Sequence, residues 1–192
     1  MNMTLGRMNK RREAAFTLVE IMIVVAIIAL LAAIAIPNVL RGRTTANEAS
    51  SIGNLRALIS GLEMYRSVNN VYPQTANWGT VATSMYPPGA PAFGPPSFGT
   101  AAIAQTLAND TVQGFNYTYT ATAGCTDAAL NCNTYTLLGV PQTVGQTGTR
   151  SFFTNQTGTI SHCIEPGGAA VATAANGPTW TTIDQGPTNP CT

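Results

Sequence analysis

The chain has 192 residues, enough for one modest domain with additional elements, and only 9% of them are charged, far below the usual quarter. Residues 1–15 carry four basic side chains and one acidic side chain, whereas residues 16–192 carry five arginines and seven carboxylates. A surface that binds nucleic-acid phosphates needs several clustered cations, so we expect no nucleic-acid partner.

Residues 1–15 form a basic segment ahead of a long apolar one. Residues 16–36 contain a single charge, Glu20, and a single hydroxyl, Thr17. A helix of this length spans about 30 Å, the thickness of a bilayer core, and the basic residues before it place its N-terminus in the cytoplasm. Three interpretations fit: a secretory signal cleaved at the small residues 33–35, a plain membrane anchor, or a helix retained after cleavage ahead of it.

Glu20 favours the third interpretation. A carboxylate inside an apolar helix costs about 2.5–3.5 kcal/mol on insertion scales. A signal or an anchor gains nothing from that cost, whereas a subunit of an assembly can use the carboxylate to bind a cation on its neighbour.

The segment from Ala15 to Ile28, with its continuation through residues 31–37, resembles the cleavage and methylation region of type IV prepilins and the related type II secretion pseudopilins. The resemblance implies a leader, residues 1–15, that a prepilin peptidase removes between Ala15 and Phe16 on the cytoplasmic side. It also implies N-methylation of Phe16 and pairing of Glu20 with the Phe16 amino group of a neighbouring subunit during filament assembly.

Three further positions bear on this resemblance. Pro37 corresponds to the proline that kinks the pilin helix. Ala15 and Ala29 stand where the family often has glycine, and alanine at position 29 makes that part of the helix less ready to melt.

Residues 37–70 are predicted to continue the same helix as its amphipathic half. Apolar residues recur at steps of three and four: Ala49, Ile52, Leu55, Leu58, Ile59, Leu62 and Tyr65. The opposite face is assigned to the charged residues Glu48, Arg56, Glu63 and Arg66, of which Glu63 and Arg66 have the spacing of an i,i+3 ion pair. Asn69-Asn70 and Tyr72-Pro73 end the helix.

The head comprises residues 71–192. We predict a proline-rich connecting loop over residues 71–113 with a helical turn at residues 100–107, antiparallel strands over residues 114–163, and a C-terminal loop over residues 164–192. The strands are expected at 115–120, 135–140, 152–154 and 159–163. The expected fold is therefore α+β and type IV pilin-like, a long N-terminal α-helix packed on a small antiparallel β-sheet head.

Four cysteines lie in the C-terminal third: Cys125, Cys132, Cys163 and Cys191. An even number in an exported chain suggests two disulfides, against reduced thiols or zinc ligation. The spacings do not match zinc knuckles and His162 is the only histidine, so we expect no metal. Three connectivities are possible. Cys125–Cys132 would close a hairpin, and Cys163–Cys191 would tether the tail like the C-terminal disulfide loop of many pilins, so we favour this pair of bonds.

The sequence predicts a structural protein rather than an enzyme, because it shows neither a nucleophile–base set nor a cofactor motif. The resemblance implies a major pilin of a type IV pilus, serving adhesion, motility or DNA uptake. Alternatives within the family are the major pseudopilin of a type II secretion system and a minor, tip-located adhesive pilin. Outside it, an exported enzyme or a binding module remains open.

The resemblance also implies partners and a location. The partners are further copies of the chain, the prepilin peptidase, an inner-membrane assembly platform with its ATPase, and the membrane before assembly. The precursor would lie in the inner membrane with its N-terminus in the cytoplasm and its head outside, and the mature protein in a cell-surface pilus.

Overall fold

A computed structural model describes residues 16–74, 85–87, 89–98, 111–121, 125, 131–168, 170, 172–173, 175, 177–185 and 189–191. The chain divides into two compact units, Met1–Val39 and Leu40–Thr192. The predicted helical turn at residues 100–107 and the leader, residues 1–15, lie outside the described residues.

One long helix, α1, extends from Leu18 to Asn69, which confirms the predicted helix and its end. Asn70 follows with a positive φ of 63°, and its N–H donates to the carbonyl of Arg66 at 2.8 Å. A left-handed residue directly after the last turn is a common way to end a helix, and asparagine tolerates that conformation better than most residues.

In the first unit, the described side chains of α1 are almost all exposed and apolar, among them Leu18, Ile23 and Leu30. An 18-residue window of this helix has a mean hydropathy of 3.0 and none of it is buried. The helix therefore has the length and composition to cross a membrane.

The second unit contains a six-stranded antiparallel sheet in the order β1-β2-β3-β4-β5-β6. The strands are β1 (Thr111–Val112), β2 (Phe115–Ala121), β3 (Tyr135–Pro141), β4 (Arg150–Asn155), β5 (Ile160–Ile164) and β6 (Thr181–Thr182). Each strand pairs with the next one along the chain, so the sheet is a meander. The α+β, pilin-like fold is confirmed.

Both faces of the sheet are covered. On one face, aromatic and aliphatic side chains of β2 and β3 pack with Leu55, Leu58 and Leu62 of α1. On the other face, Phe153 of β4 packs with Trp180 and with the Cys163 and Cys191 sulfurs of the C-terminal tail. This two-sided burial explains why β4 carries two adjacent phenylalanines, since successive side chains of a strand point to opposite faces.

The structure corrects the predicted faces of α1. Glu48, assigned to the polar face, is 6% exposed, and Ala49, assigned to the apolar face, is exposed. Instead of pairing directly, Glu63 and Arg66 both bind the Tyr72 hydroxyl, which donates to Glu63 at 2.6 Å and accepts from Arg66 at 3.1 Å. Burial and the neighbouring Glu63 raise the pKa of Tyr72.

The strand boundaries also need correction. The four predicted strands are present, but the sheet extends beyond residues 114–163 at both ends, through β1 in the predicted loop and β6 in the predicted tail. Each of these edge strands has only two residues, too few for an alternating pattern to be visible in the sequence.

Candidate assembly site

Thr17 and Glu20 form a reciprocal set of hydrogen bonds at the start of α1. The Glu20 carboxylate accepts from the Thr17 backbone N–H at 2.9 Å and from the Thr17 hydroxyl at 2.8 Å. The Glu20 N–H in turn donates to the Thr17 hydroxyl oxygen at 3.2 Å. This arrangement is a capping box, which satisfies backbone donors that the first turn of a helix leaves without partners.

The capping box gives Glu20 a role within its own chain, which the predicted pairing did not include. The signal was present as the Thr-x-x-Glu spacing of Thr17 and Glu20. In a membrane core an unsatisfied backbone N–H has no water to bind, so a side chain that caps the helix offsets part of the cost of burying a carboxylate. A plain membrane anchor could therefore also use Glu20 as a helix cap. The presence of Glu20 alone does not decide between a cleaved signal, a plain anchor and a helix retained after cleavage ahead of it.

The other residues predicted for cleavage and assembly lie around this cap. Phe16 directly precedes it and is 76% exposed, whereas Ala15 lies outside the described residues. Pro37 lies inside α1, where it cannot donate a hydrogen bond to the carbonyl four residues earlier. Cleavage before Phe16, its methylation, its pairing with Glu20 and a kink at Pro37 stay predictions.

A partly buried ion pair joins the second half of α1 to the start of β4. Glu48 accepts from the Arg150 Nε at 2.8 Å and lies 2.7 Å from its Nη2. The other oxygen of Glu48 accepts from the Thr149 N–H and hydroxyl, both at 2.8 Å. A buried carboxylate needs this many donors to offset its lost hydration, so Glu48 fixes where the helix lies on the sheet.

His162 lies beside this ion pair on the helix-facing side of β5. It pairs across the sheet with Phe152 and is fully buried. Neither ring nitrogen has a hydrogen-bond partner among the described residues. Burial lowers the pKa of His162, the positive charge of Arg150 lowers it further, and the negative charge of Glu48 acts in the opposite direction.

Two disulfides join Cys125 to Cys132 and Cys163 to Cys191, the connectivity that the sequence analysis favours. The first bond lies between β2 and β3. The second joins β5 to the end of the tail, which also runs alongside Ile164 through backbone hydrogen bonds: the Ile164 N–H donates to Asn189 at 3.0 Å and the Cys191 N–H donates to Ile164 at 2.8 Å.

Glu165 lies next to the tail disulfide. One of its carboxylate oxygens and the sulfurs of Cys163 and Cys191 all lie within 4.8 Å of one another. The two sulfurs are bonded to each other and therefore offer no thiolate ligand to a metal ion. The carboxylate accepts hydrogen bonds from the Ser151 hydroxyl and from the Ala172 N–H.

Comparisons with known proteins define the class of the N-terminal segment. Residues 10–36 match the model of the prokaryotic N-terminal methylation motif, which covers the predicted cleavage position, the Thr17–Glu20 cap and the apolar helix up to residue 36. No solved structure matches the chain.

The similar proteins are of two kinds, core proteins of type II secretion systems and a type IV pilin. The chain is 38% identical over 68 residues to type II secretion system core protein G of Aeromonas hydrophila, which covers 35% of this chain and 48% of that protein. It is 38% identical over 65 residues to core protein G of Vibrio cholerae, covering 34% and 44%. It is 41% identical over 75 residues to the type IV major pilin protein PilA of Myxococcus xanthus, covering 39% and 34%.

These matches span at most about half the length of the relatives. Together with the methylation motif, they show that the N-terminal part of the chain is similar to type IV pilins and to the core protein G of type II secretion systems.

Proposed function

We propose that the chain is a structural subunit, of the major pilin kind, which polymerises through its N-terminal apolar helix into a type IV pilus. The observation that carries the proposal is the methylation motif at residues 10–36 on a helix that is apolar and uncovered in the first unit. In lipid this helix is already in an apolar medium, so its packing into a bundle depends on close contacts and polar pairs rather than on the hydrophobic effect.

In this proposal, a prepilin peptidase cleaves between Ala15 and Phe16, Phe16 is methylated, and Glu20 pairs with the amino group of Phe16 in the neighbouring subunit. A single buried polar pair can fix the register of packed helices. The precursor lies in the inner membrane, an assembly platform with its ATPase adds subunits, and the mature protein is exposed on the cell surface. Such a subunit works by assembly and not by catalysis.

A second candidate is the major pseudopilin of a type II secretion system, because core protein G of several bacteria is among the relatives. The comparisons support the pilus and the pseudopilus equally. Deletion of the gene separates them: loss of surface filaments, twitching or DNA uptake supports the pilus, whereas loss of protein secretion alone supports the pseudopilus.

Glu20 variants test the polymerisation itself. Glutamine can replace glutamate in a capping box, so Glu20→Gln keeps the cap and removes the charge, whereas Glu20→Ala removes both. We expect both variants to be processed and inserted and to form at least tenfold fewer filaments by electron microscopy, because an uncharged residue cannot balance a buried ammonium group.

Two matched variants serve as controls. Thr17→Val removes the hydroxyl of the cap but keeps the Glu20 charge, and Glu63→Gln removes a carboxylate from the exposed part of the same helix. Both should assemble. Normal filaments from Glu20→Gln together with a defect in Thr17→Val would mean that Glu20 acts by capping and that the proposed pairing is wrong.

A further inference from the structure

We propose that Glu165 protects the Cys163–Cys191 disulfide against reduction by thiols. Cys163, Glu165 and Cys191 are all buried, with exposures of 0%, 5% and 3%, and one carboxylate oxygen lies within 4.8 Å of both sulfurs. A negative charge this close to a sulfur in a medium of low dielectric strongly opposes a second negative charge there.

The strand geometry keeps the carboxylate at this place. Glu165 directly follows β5, two positions after Cys163, and its N–H donates to the Thr149 carbonyl at 2.9 Å, so the strand alternation places both side chains on the same face of the sheet. The Ser151 hydroxyl and the Ala172 N–H both donate to one oxygen of Glu165. Hydrogen bonds donated to a carboxylate stabilise its charged form.

The tail determines which sulfur a reagent reaches. Cys191 directly follows the exposed residues Asn189 and Pro190, whereas Cys163 lies within β5 and is fully buried. An incoming thiol therefore meets the Cys191 sulfur first, once the end of the tail opens locally.

Reduction then places negative charge next to Glu165. The incoming thiolate attacks Sγ of Cys191, the S–S bond breaks, and its electron pair stays on Sγ of Cys163 as a thiolate. A second thiol then resolves the mixed disulfide at Cys191 and releases a small-molecule disulfide, so the chain gains two electrons and two protons from the thiols and water. Glu165 raises the barrier because charge develops on Cys163 in the first step.

The consequence is a tail that stays attached where thiols or thiol-dependent reductases are present. The bond closes a loop with a sequence separation of 28, and this loop carries Trp180, which packs on Phe153 at a ring distance of 6.2 Å. The inference does not depend on the filament proposal, since it concerns the head alone.

Reduction rates with thiols of different charge test it. In the full mature chain in neutral detergent micelles, we would measure loss of the Cys163–Cys191 bond by alkylation and peptide mass spectrometry. Cysteamine (cationic), 2-mercaptoethanol (neutral) and 2-mercaptoethanesulfonate (anionic) are compared at equal thiolate concentration. Because the three thiolates differ in intrinsic nucleophilicity, each rate is divided by the rate of the same thiol with an uncharged small-molecule disulfide, and in the unmodified chain these relative rates should fall in that order. In Glu165→Gln, 2-mercaptoethanol should react about tenfold faster, and the difference between the cationic and the anionic thiol should shrink.

The chain supplies its own controls. The Cys125–Cys132 bond should show the same rates in both proteins, and Glu165→Asp, which keeps the charge, should keep the order of the three thiols. Equal acceleration of all three thiols in Glu165→Gln would show that the variant only loosens the tail, and unchanged rates would show that the carboxylate has no effect. Either result, or loss of the order in Glu165→Asp, would overturn the proposal.

Discussion

At the scale of single residues, Glu20 has two roles to consider, capping its own helix and pairing with a neighbouring amino group. Its carboxylate closes a capping box with Thr17 in the subunit, and the family resemblance implies a second use, pairing with the amino group of a neighbouring Phe16. The cap uses only Oε2 of Glu20, so Oε1 can accept from such an amino group while the cap persists.

For Glu48, charge and spacing lead to opposite predictions. Its charge predicts the solvated face of α1, whereas its spacing predicts the buried face. Positions 48, 51, 55, 58 and 62 follow the same three- and four-residue steps, and all of them are buried. The spacing was sufficient to predict burial of position 48. The partner was not predictable, because Arg150 lies about a hundred residues further along the chain.

The buried His162 makes the head sensitive to acid. Its pKa is lowered in the folded chain, mainly by burial and then by Arg150, so the unfolded chain binds a proton at higher pH than the folded one. This contribution to stability is present above the unfolded value of 6.5 and is lost as the pH falls below it. Urea unfolding of the full chain in micelles should therefore show a falling free energy of unfolding between pH 7 and pH 5.

His162→Gln is the matched variant, because glutamine is polar but does not titrate. The chain has no other histidine, so few other groups titrate between pH 7 and pH 5, and the slope in this range should become much flatter in the variant. Equal slopes in the two proteins would show that His162 is not responsible.

At the scale of elements, two of the glycines in the second half of α1 have opposite surroundings. A Cβ on Gly61 would lie 2.6 Å from the backbone oxygen of Phe93, whereas a Cβ on Gly53 would meet nothing within 4 Å. The close approach of the Phe93 backbone thus requires glycine at position 61. No contact among the described residues requires glycine at position 53.

Alanine substitution should therefore have opposite effects at these two positions. Gly61→Ala forces the Phe93 segment away and should lower the free energy of unfolding by about 1–3 kcal/mol. Gly53→Ala should raise it by about 1 kcal/mol, because alanine is the better helix former. Urea unfolding of both variants in the same micelles measures the difference, and a loss of stability in both, or in neither, would contradict the contact at Phe93.

The strands show what local pattern can and cannot predict. β2 alternates aromatic and polar residues and is buried on alternate positions, so its position was visible in the sequence. β4 has four consecutive buried residues, and their burial depends on a second layer that no local pattern reveals. β6 is a strand only because it pairs with β5.

At the scale of the whole chain, the class of fold and the apolar helix could be predicted because both depend on local sequence: a continuous apolar run, a basic segment before it, and regular spacing after it. The sites in the head could not be predicted, because each depends on contacts between residues that are far apart in the sequence. These sites are the Glu48–Arg150 pair, the buried His162, and Glu165 beside the tail disulfide. The disulfide connectivity was an intermediate case, because hairpin geometry and family resemblance favoured one of the three possible pairings without excluding the other two.

The central claim is that the apolar helix is retained and used for assembly, and the N-terminus of the assembled protein tests this most directly. Filaments sheared from cells would be digested, and the N-terminal peptide of this chain identified by mass spectrometry. We predict that it begins with N-methylated Phe16 and continues through Thr17 and Glu20. A chain that begins at Ile36, or one found in solution rather than in sheared filaments, would contradict the account.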